Sequence, residues 1–442
     1  MDKAIALALC PPFWPDLPPL SLISLGSFLI QSGYKNDTDI RDLNNIFFNA
    51  AGEDLKKEWR KSSNREFQQN MPEIIQNKFR DILKKQITAL AACKAVGFSV
   101  FKSNLKVSLW LARELKNRNN NLKVVLGGPE ISRIYFKTGS SFSAQIKNIS
   151  DLTVVGEGEL PLIEFLKGDA RQKTVCFKER AHIESENFIP AYEKIDPNSY
   201  PKKNSVSLLF SRGCPRFCAF CGERLLYRSF RVKRVQSIID EISYHQGRGV
   251  KNFIFHDSML NADLRALEKL CDEIIANFGK INWEAQMAVR PQMSERLLEK
   301  IKQSGCYNLF IGLESGSNNT LRRMRKGFCA DEAKVFFKKL NKACLSFGVS
   351  LIVGFPKETN ADYKESLRFL IENKSLIPKI EQINPFVYYE GTSIDKTADH
   401  KYNSKIMEDT ADFIAELKRH RFKMTSAFLN NLVEEGSGSQ SP

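Results

Sequence analysis

Three cysteines, Cys214, Cys218 and Cys221, stand at i, i+4 and i+7 in Ser211-Arg212-Gly213-Cys214-Pro215-Arg216-Phe217-Cys218-Ala219-Phe220-Cys221. They follow a mostly apolar run, 206–210, and precede a long amphipathic stretch. Gly213 and Pro215 put the triplet on a loop and not on an apolar face. Ten cysteines scattered through 442 residues would almost never give this spacing. Disulfides need pairs and leave one thiol over. A tetrahedral structural zinc site needs a fourth ligand, and the next histidine is the distant His245. An iron–sulfur cluster held by three thiolates, with one iron open, accommodates the odd number. The reading without chemistry is three small buried side chains.

The elements that would position these thiols repeat six times from residue 205. Strands are expected at 205–210, 251–256, 281–287, 307–313, 349–353 and 382–387. Helical periodicity falls at 235–246, 263–278, 294–304, 318–325 with 331–347, and 360–373. Six such units predict a partial (β/α)6 barrel, with its site at the carboxyl ends of the strands. Polar residues gather there. The second strand ends in His256-Asp257-Ser258, where Asp257 or Ser258 would serve equally as a helix N-cap. His256 is a candidate proton-transfer residue, although a strand-end histidine is more often structural. The third strand leads to Arg290, a fixed charge able to meet a carboxylate or to pair on the surface. The fourth ends in Gly312-Leu313-Glu314-Ser315-Gly316, with two polar groups suited to a ribose. The fifth ends in Gly354-Phe355-Pro356-Lys357-Glu358-Thr359 and the sixth in Glu390-Gly391-Thr392. Cys271, Cys306 and Cys344 fall within apolar patterns and are expected in the core.

Residues 1–170 also alternate strand and helix. Strands are expected at 4–9, 39–43, 95–100, 122–126 and 151–155. Helices are expected at 21–32, where Gly33 stops the run, at 107–118, and from 160. The pattern predicts an α/β, doubly wound, Rossmann-like domain with a parallel sheet. The stretch 45–85 reads as polar, charged and helical. Gly97-Phe98-Ser99, Gly127-Gly128-Pro129 and Gly156-Glu157-Gly158 fall at successive strand ends, where such sheets bind ligands and helix starts favour anions. Ordinary strand–helix turns are the alternative. Residues 171–203, with Pro190, Pro197 and Pro201, read as a linker ahead of a barrel at 204–396. A helical extension at 397–435 would cover the barrel or shape a substrate pocket, and 436–442 reads as a disordered tail.

Composition sets outer bounds. A 442-residue chain that is 42% hydrophobic and 26% charged suits two or three globular domains. No apolar run reaches the length of a membrane span. The N-terminus carries one basic residue and runs into Pro11-Pro12-Phe13-Trp14-Pro15, which reads as a first strand and not a signal peptide. Cysteines without a pairing pattern imply a reducing cytoplasm. A formal charge of +15 admits an anionic partner without choosing one, and a solvated basic surface accounts for it equally.

With these residues in view, the chain resembles the radical S-adenosylmethionine (SAM) enzymes. Cys-x-x-x-Cys-x-aromatic-Cys after a first strand resembles their signature loop. The resemblance implies that Cys214, Cys218 and Cys221 hold a 4Fe-4S cluster, whose open iron binds SAM. One electron then cleaves SAM to a 5′-deoxyadenosyl radical. Phe220 matches the family's aromatic position beside the adenine. The resemblance places Asp257 and Ser258 near the SAM amino group, with Arg290 at the carboxylate and Glu314 and Ser315 at the ribose. Gly354 and Pro356 would border the adenine. Lys357 replaces a glycine of the family pattern and bears on the turn geometry there. Cys329, close to Lys326-Gly327, is a candidate second active-site thiol of the kind some radical methylases use. The first half resembles the cobalamin-binding domain that precedes many such enzymes, in Pro-Pro-Leu, Asp-Leu-Asn, Val-Gly-Phe-Ser, Gly-Gly-Pro-Glu and Val-Val-Gly-Glu-Gly-Glu. Leu20, Ser99, Gly127, Gly128, Gly156 and Glu157 are the cobalamin residues this implies. The Asp-x-His-x-x-Gly motif of other cobalamin proteins is absent, as in many members of this subgroup.

The resemblance therefore implies a cobalamin-dependent radical SAM enzyme. It would be a methyltransferase acting on an unactivated carbon, with the two cofactors placed across a cleft between the domains. The substrate class stays open among small molecules such as natural products, peptides and lipids. A flavodoxin or ferredoxin would be the electron donor. A non-methylating cyclase or rearrangement enzyme fits the same motifs. RNA modification suits the charge, but no small β-barrel for RNA is appended. A cobalamin-binding sensor or carrier is the non-enzymatic alternative.

Overall fold

The structure is a computed structural model, and it describes residues 4–61, 64–139, 141–169, 172–176, 189–394 and 404–425. The chain divides into two compact units, Met1–Leu208 with Glu223–Lys251, and Leu209–Gly222 with Asn252–Pro442.

The first unit is organised on strands β1 (Ile5–Leu9), β2 (Thr38–Asp42), β3 (Ala95–Ser99), β4 (Lys123–Gly127), β5 (Leu152–Val155) and β6 (Thr174–Cys176). They pair in parallel in the order β2-β1-β3-β4-β5-β6. Every residue of β1 and β3 is buried, as parallel strands covered on both faces require. The order reverses direction between β1 and β3, which makes that point the natural ligand crevice of a doubly wound sheet. Register sets Leu9 beside Asp42 and Ser99 beside Gly127, so the segments after these strands share one edge.

Gly97 lies inside β3, within the strand expected at 95–100, and a methyl group there would stand 3.3 Å from the Leu7 side chain. One detail differs from the sequence expectation: strand β6 falls within the stretch read as linker and extends the sheet beside β5. Among the described residues of 43–91 are four helices, Leu43–Ala50, Glu53–Arg60, Arg65–Lys78 and Arg80–Ala91. Asp42 caps the first by accepting from the Asn45 N–H at 3.0 Å, and Asn64 caps the third through Phe67. This polar-looking stretch still buries Trp59, Phe67, Met71 and Ile75 in the core shared with Val96, Phe98 and Leu126. Removing an aromatic so buried typically costs about 3–5 kcal/mol.

Strand β7 (Ser205–Leu208) leads into the cysteine loop, which the two-residue strands β8 (Ser211–Arg212) and β9 (Arg231–Val232) flank in sequence. The second unit carries β10 (Asn252–Phe255), β11 (Asn282–Ala288), β12 (Cys306–Glu314), β13 (Phe347–Val353) and β14 (Ile380–Pro385). The sheet order is β14-β13-β12-β11-β10-β7, a sequential run of the kind a partial (β/α) barrel uses. Helix periodicity is clean here. The helix Leu264–Phe278 buries Leu267, Leu270, Cys271 and Ile274, one face at i, i+3, i+4 and i+7. Asp263, Ser294 and Thr359 cap the helices that follow them.

The helix expected to run to 347 ends at Lys342, because Phe347 belongs to β13. Cys344 sits in the intervening turn at φ 53 and is exposed, which corrects its expected place in the core; Cys271 and Cys306 are buried as expected. The helix Ser404–Arg419 buries Phe413, Ile414 and Leu417, and the segment after it bridges the edge strand β14 between Met424 and Ile380. That pairing blunts an open sheet edge. Phe428, Leu429 and Leu432 of the expected tail helix, and residues 436–442, lie outside the described residues. No helix among the described residues is long and apolar enough to cross a membrane.

Candidate active site

The cysteine loop is tied down at three places within its unit. At its entrance, the buried carboxylate of Asp257 accepts from the Phe210 N–H at 3.1 Å and from the Ser211 N–H and hydroxyl, each at 2.5 Å. In the middle, Arg216 donates to the carbonyls of Val289 (2.9 Å) and Lys326. Toward its end, the Ala219 N–H donates to the Met324 carbonyl at 2.9 Å. These anchors lie just past β10, just past β11 and in the segment after the helix Asn318–Arg323, so the carboxyl ends of the strands carry the loop. Gly213, at φ 76, supplies the turn that a side-chain-bearing residue would strain.

Cys214 and Cys218 are half-buried, Cys221 is exposed, and none is in a disulfide. Among the described residues no three His, Cys, Asp or Glu side chains converge as ligands of a single metal ion. A cluster that takes one thiolate per iron asks for no such convergence. The donor set therefore fits an iron–sulfur cluster: three thiols on one anchored loop, with Arg216 between the first two.

The other expected site residues fall into two groups. Phe220 and Glu314 face one neighbourhood. Phe220 packs with Ala219, Met324, Phe355, Phe386 and Ile394, its ring 6.3 Å from Phe355. The Lys326 ammonium lies 5.8 Å from the Phe220 ring and 3.2 Å from Glu314 Oε1. Ser350 donates to Glu314 Oε2 at 2.9 Å. Glu314 adopts φ 69, a left-handed conformation that is costly for a residue with a side chain.

The second group holds the scaffold. Asp257 spends its carboxylate on the loop. Arg290 donates to the carbonyls of Asn261 and Ala262, both at 2.7 Å. Ser315 is buried against Ser366 at 2.6 Å and accepts from the Ser317 N–H. Gly354, at φ 78, donates its N–H to Glu358 at 2.7 Å, and a methyl group there would stand 2.7 Å from Ile406. Burial raises the Glu358 carboxyl to about 7 against that hydrogen bond. Pro356 is half-buried beside Lys357, while His256 and Ser258 are exposed at the end of β10. Cys329 occupies the N-cap of the helix Ala330–Lys342, its N–H donating to Glu332 at 2.8 Å.

Sequence reasoning missed Arg216, Lys326 and Asp362. Asp362 accepts from Thr359, Ser317 and Asn319, and so ties the turn after β12 to the turn after β13. Burial pushes its carboxyl up, but these hydrogen bonds outweigh it and hold the group at about 2. A basic residue between two cysteines was the available signal for Arg216. An aspartate three residues after a capping threonine gave none beyond a capping box.

In the first unit, the strand-end groups bond to neighbouring segments of the same unit. Glu157 is bound by both terminal nitrogens of Arg231, at 3.0 and 2.8 Å; Glu157 is buried and Arg231 largely covered. Gly128, at φ 107, leaves no room for a side chain, since a methyl group would stand 2.7 Å from the Val100 carbonyl oxygen. Gly156, at φ 94, donates to the Ser132 hydroxyl at 3.0 Å. Gly127 ends β4 and accepts from the Val100 N–H at 2.8 Å. Ser99 is buried, its carbonyl accepting from Asn104, and Leu20 opens the helix Leu20–Leu29. Burial raises Asp42 to about 6, against hydrogen bonds from Asn45 and Tyr200. Burial likewise pushes the Cys10 thiol up to about 12, so it is held neutral.

Comparison with known proteins agrees with this architecture. Residues 208–370 match the family model described as the radical SAM superfamily. An uncharacterized methyltransferase of Pyrococcus horikoshii is 25% identical over 299 residues, which are 62% of this chain and 63% of that one. The bacteriochlorophyllide d C-12(1)-methyltransferase of Chlorobaculum tepidum is 25% identical over 195 residues, 43% and 42% of the two chains. The chain thus spans less than two thirds of the length of these relatives. In fold it is similar to the radical S-adenosylmethionine methyltransferase TsrM of Kitasatospora setae, solved with cobalamin and a 4Fe-4S cluster. That match has a TM-score of 0.66 at 15% identity and covers 89% of this chain and 74% of that one. It is similar also to the cobalamin-dependent S-adenosylmethionine radical enzyme OxsB, with a TM-score of 0.63 at 15% identity, covering 95% and 56%.

Proposed function

We propose that this chain, which carries a radical SAM domain over residues 208–370, is a cobalamin-dependent radical SAM enzyme. Its reaction is methylation of an unactivated carbon in a small-molecule, peptide or lipid substrate. It works in a reducing cytoplasm with a flavodoxin- or ferredoxin-like electron donor. The observation that carries this reading is the cysteine loop, anchored at the carboxyl ends of β10 and β11 by Asp257 and Arg216. When bound, the cluster supplies the electron for reductive cleavage of SAM, and cobalamin carries the methyl group.

The chain's own residues hold and orient. Cys214, Cys218 and Cys221 are the cluster ligands. Phe220 and Phe355 give an apolar wall suited to a flat base, and Glu314, held by Lys326 and Ser350, presents acceptors suited to ribose hydroxyls. Asp257, Arg290, Ser315 and Gly354 keep those segments in place. Cobalamin would meet the carboxyl end of the first sheet at the segments carrying Leu20, Ser99, Gly127, Gly128, Gly156 and Glu157. There, Gly128 and the Glu157–Arg231 pair fix the backbone shape.

Anaerobic reconstitution with iron and sulfide, with and without methylcobalamin, tests the proposal. Cluster absorbance, retained corrin, and release of 5′-deoxyadenosine together with S-adenosylhomocysteine from SAM under a reductant are the expected results. Cluster and 5′-deoxyadenosine without retained corrin would overturn methyl transfer through cobalamin.

A further inference from the structure

We propose that Arg216 is a positioning residue for the cluster loop and that its charge favours the reduced cluster. The inference rests on reading Cys214, Cys218 and Cys221 as cluster ligands. Arg216 lies between the first two of them and grips two carbonyls that follow different strands, Val289 past β11 and Lys326 past the helix Asn318–Arg323. Its guanidinium lies 5.7 Å from the Phe328 ring centroid. A methyl group at Gly327, which adopts φ 71, would come within 3.6 Å of Arg216 Nη1.

The segment 324–328 therefore meets the loop twice more, through the Lys326 carbonyl and the Phe328 ring, in addition to the bond between Ala219 and the Met324 carbonyl. Two parallel N–H donors and a flat face are properties of arginine that lysine lacks. Arg216 stands two residues from Cys214 and two from Cys218 and is half-buried, so its fixed cation belongs to the same short loop as both thiols. One-electron reduction by dithionite or a flavodoxin-like donor adds one negative charge to the cluster. A fixed, partly buried cation stabilises that charge more than it does the oxidised form.

The test compares wild type, Arg216→Lys and Arg216→Gln, each reconstituted anaerobically with iron and sulfide. Iron per chain is measured, and the midpoint potential is read by electron paramagnetic resonance at poised potentials. Arg216→Gln is expected to lower the ratio of reduced to oxidised cluster at a fixed potential by tenfold or more, which is a fall of about 59 mV for one electron. Arg216→Lys keeps the charge but not the fork. It is expected to bind less iron while its bound clusters stay close to the wild-type potential. Wild-type iron content and potential in Arg216→Gln would overturn the proposal, and so would equal shifts in the two variants. Absence of iron from the wild type itself would instead overturn the cluster reading on which it rests.

Discussion

The two units build similar parallel sheets and use the groups beyond their strand ends in different ways. In the second unit those groups hold a reactive loop: Asp257 accepts from its entrance, the Val289 and Lys326 carbonyls accept from Arg216 in its middle, and the Met324 carbonyl accepts from Ala219 towards its end. In the first unit the carboxylates there bind side chains of other segments, Glu157 with Arg231, Glu130 with Arg133 and Asp42 with Tyr200. On the proposed function, the difference matches what each ligand would need. A cluster needs three reactive thiols presented by side chains, so the scaffold must hold a loop still. A large planar cofactor lying on a sheet edge needs a surface of fixed shape, which buried ion pairs and crowded glycines provide.

The largest expected effect separates these two uses. Asp257→Ala removes the acceptor of two buried N–H groups and a hydroxyl. It should destabilise the second unit by about 3–5 kcal/mol in denaturant melts and abolish iron uptake on reconstitution. A wild-type melt with normal iron content would show that the loop is held by its other anchors. Glu157→Ala should cost the first unit about 3 kcal/mol, because both terminal nitrogens of the largely covered Arg231 contact that buried carboxylate. Iron uptake should survive and corrin retention should fall. Loss of both together would break the division of labour.

Acid should act on the units with opposite signs. Asp42 in the first unit has its pKa raised by burial to about 6. Its folded form takes up a proton before the unfolded chain does, so stability should rise as pH falls from about 7 towards 4. Asp362 in the second unit is held at about 2 by its hydrogen bonds. Its contribution is present above the ordinary carboxylate range and is lost as pH falls from about 4 through 2. Each slope is at most one proton, or about 1.4 kcal/mol per pH unit. Asp42→Asn and Asp362→Asn should each flatten one limb only, read from melts across that range.

The sequence disclosed these arrangements unequally. Helix starts came through because Asp263, Ser294 and Thr359 are strong N-caps placed ahead of regular apolar spacing. Strand ends came through because polar residues interrupt apolar runs. Asp257 and Arg290 were legible as important positions, but their partners were not. Both bind backbone groups of segments distant along the chain, and backbone atoms carry no sequence signature. Cys344 misled because the apolar residues after it belong to β13 and not to the preceding helix.

The smallest predicted effect concerns the turn after β13, where this chain carries Lys357 in place of the glycine of the pattern it resembles. The backbone has kept the conformation that glycine favours, with φ at 64. A lysine there bears a steric cost of about 1–2 kcal/mol, of which greater freedom of a glycine in the unfolded chain would cancel roughly 0.5–1. Lys357→Gly should therefore stabilise the second unit by about 0.5–1 kcal/mol. The hydrogen bond from Arg323 should survive, because it uses the Lys357 carbonyl and not its side chain. A neutral or destabilising result in the melt would mean that the exposed lysine side chain makes up the cost, and the same substitution would then be expected to alter binding at the barrel mouth. A stabilising result with unchanged SAM affinity would mean that the hydrogen bonds of Gly354, Glu358 and Arg323 set the turn's shape, whatever residue occupies its left-handed position.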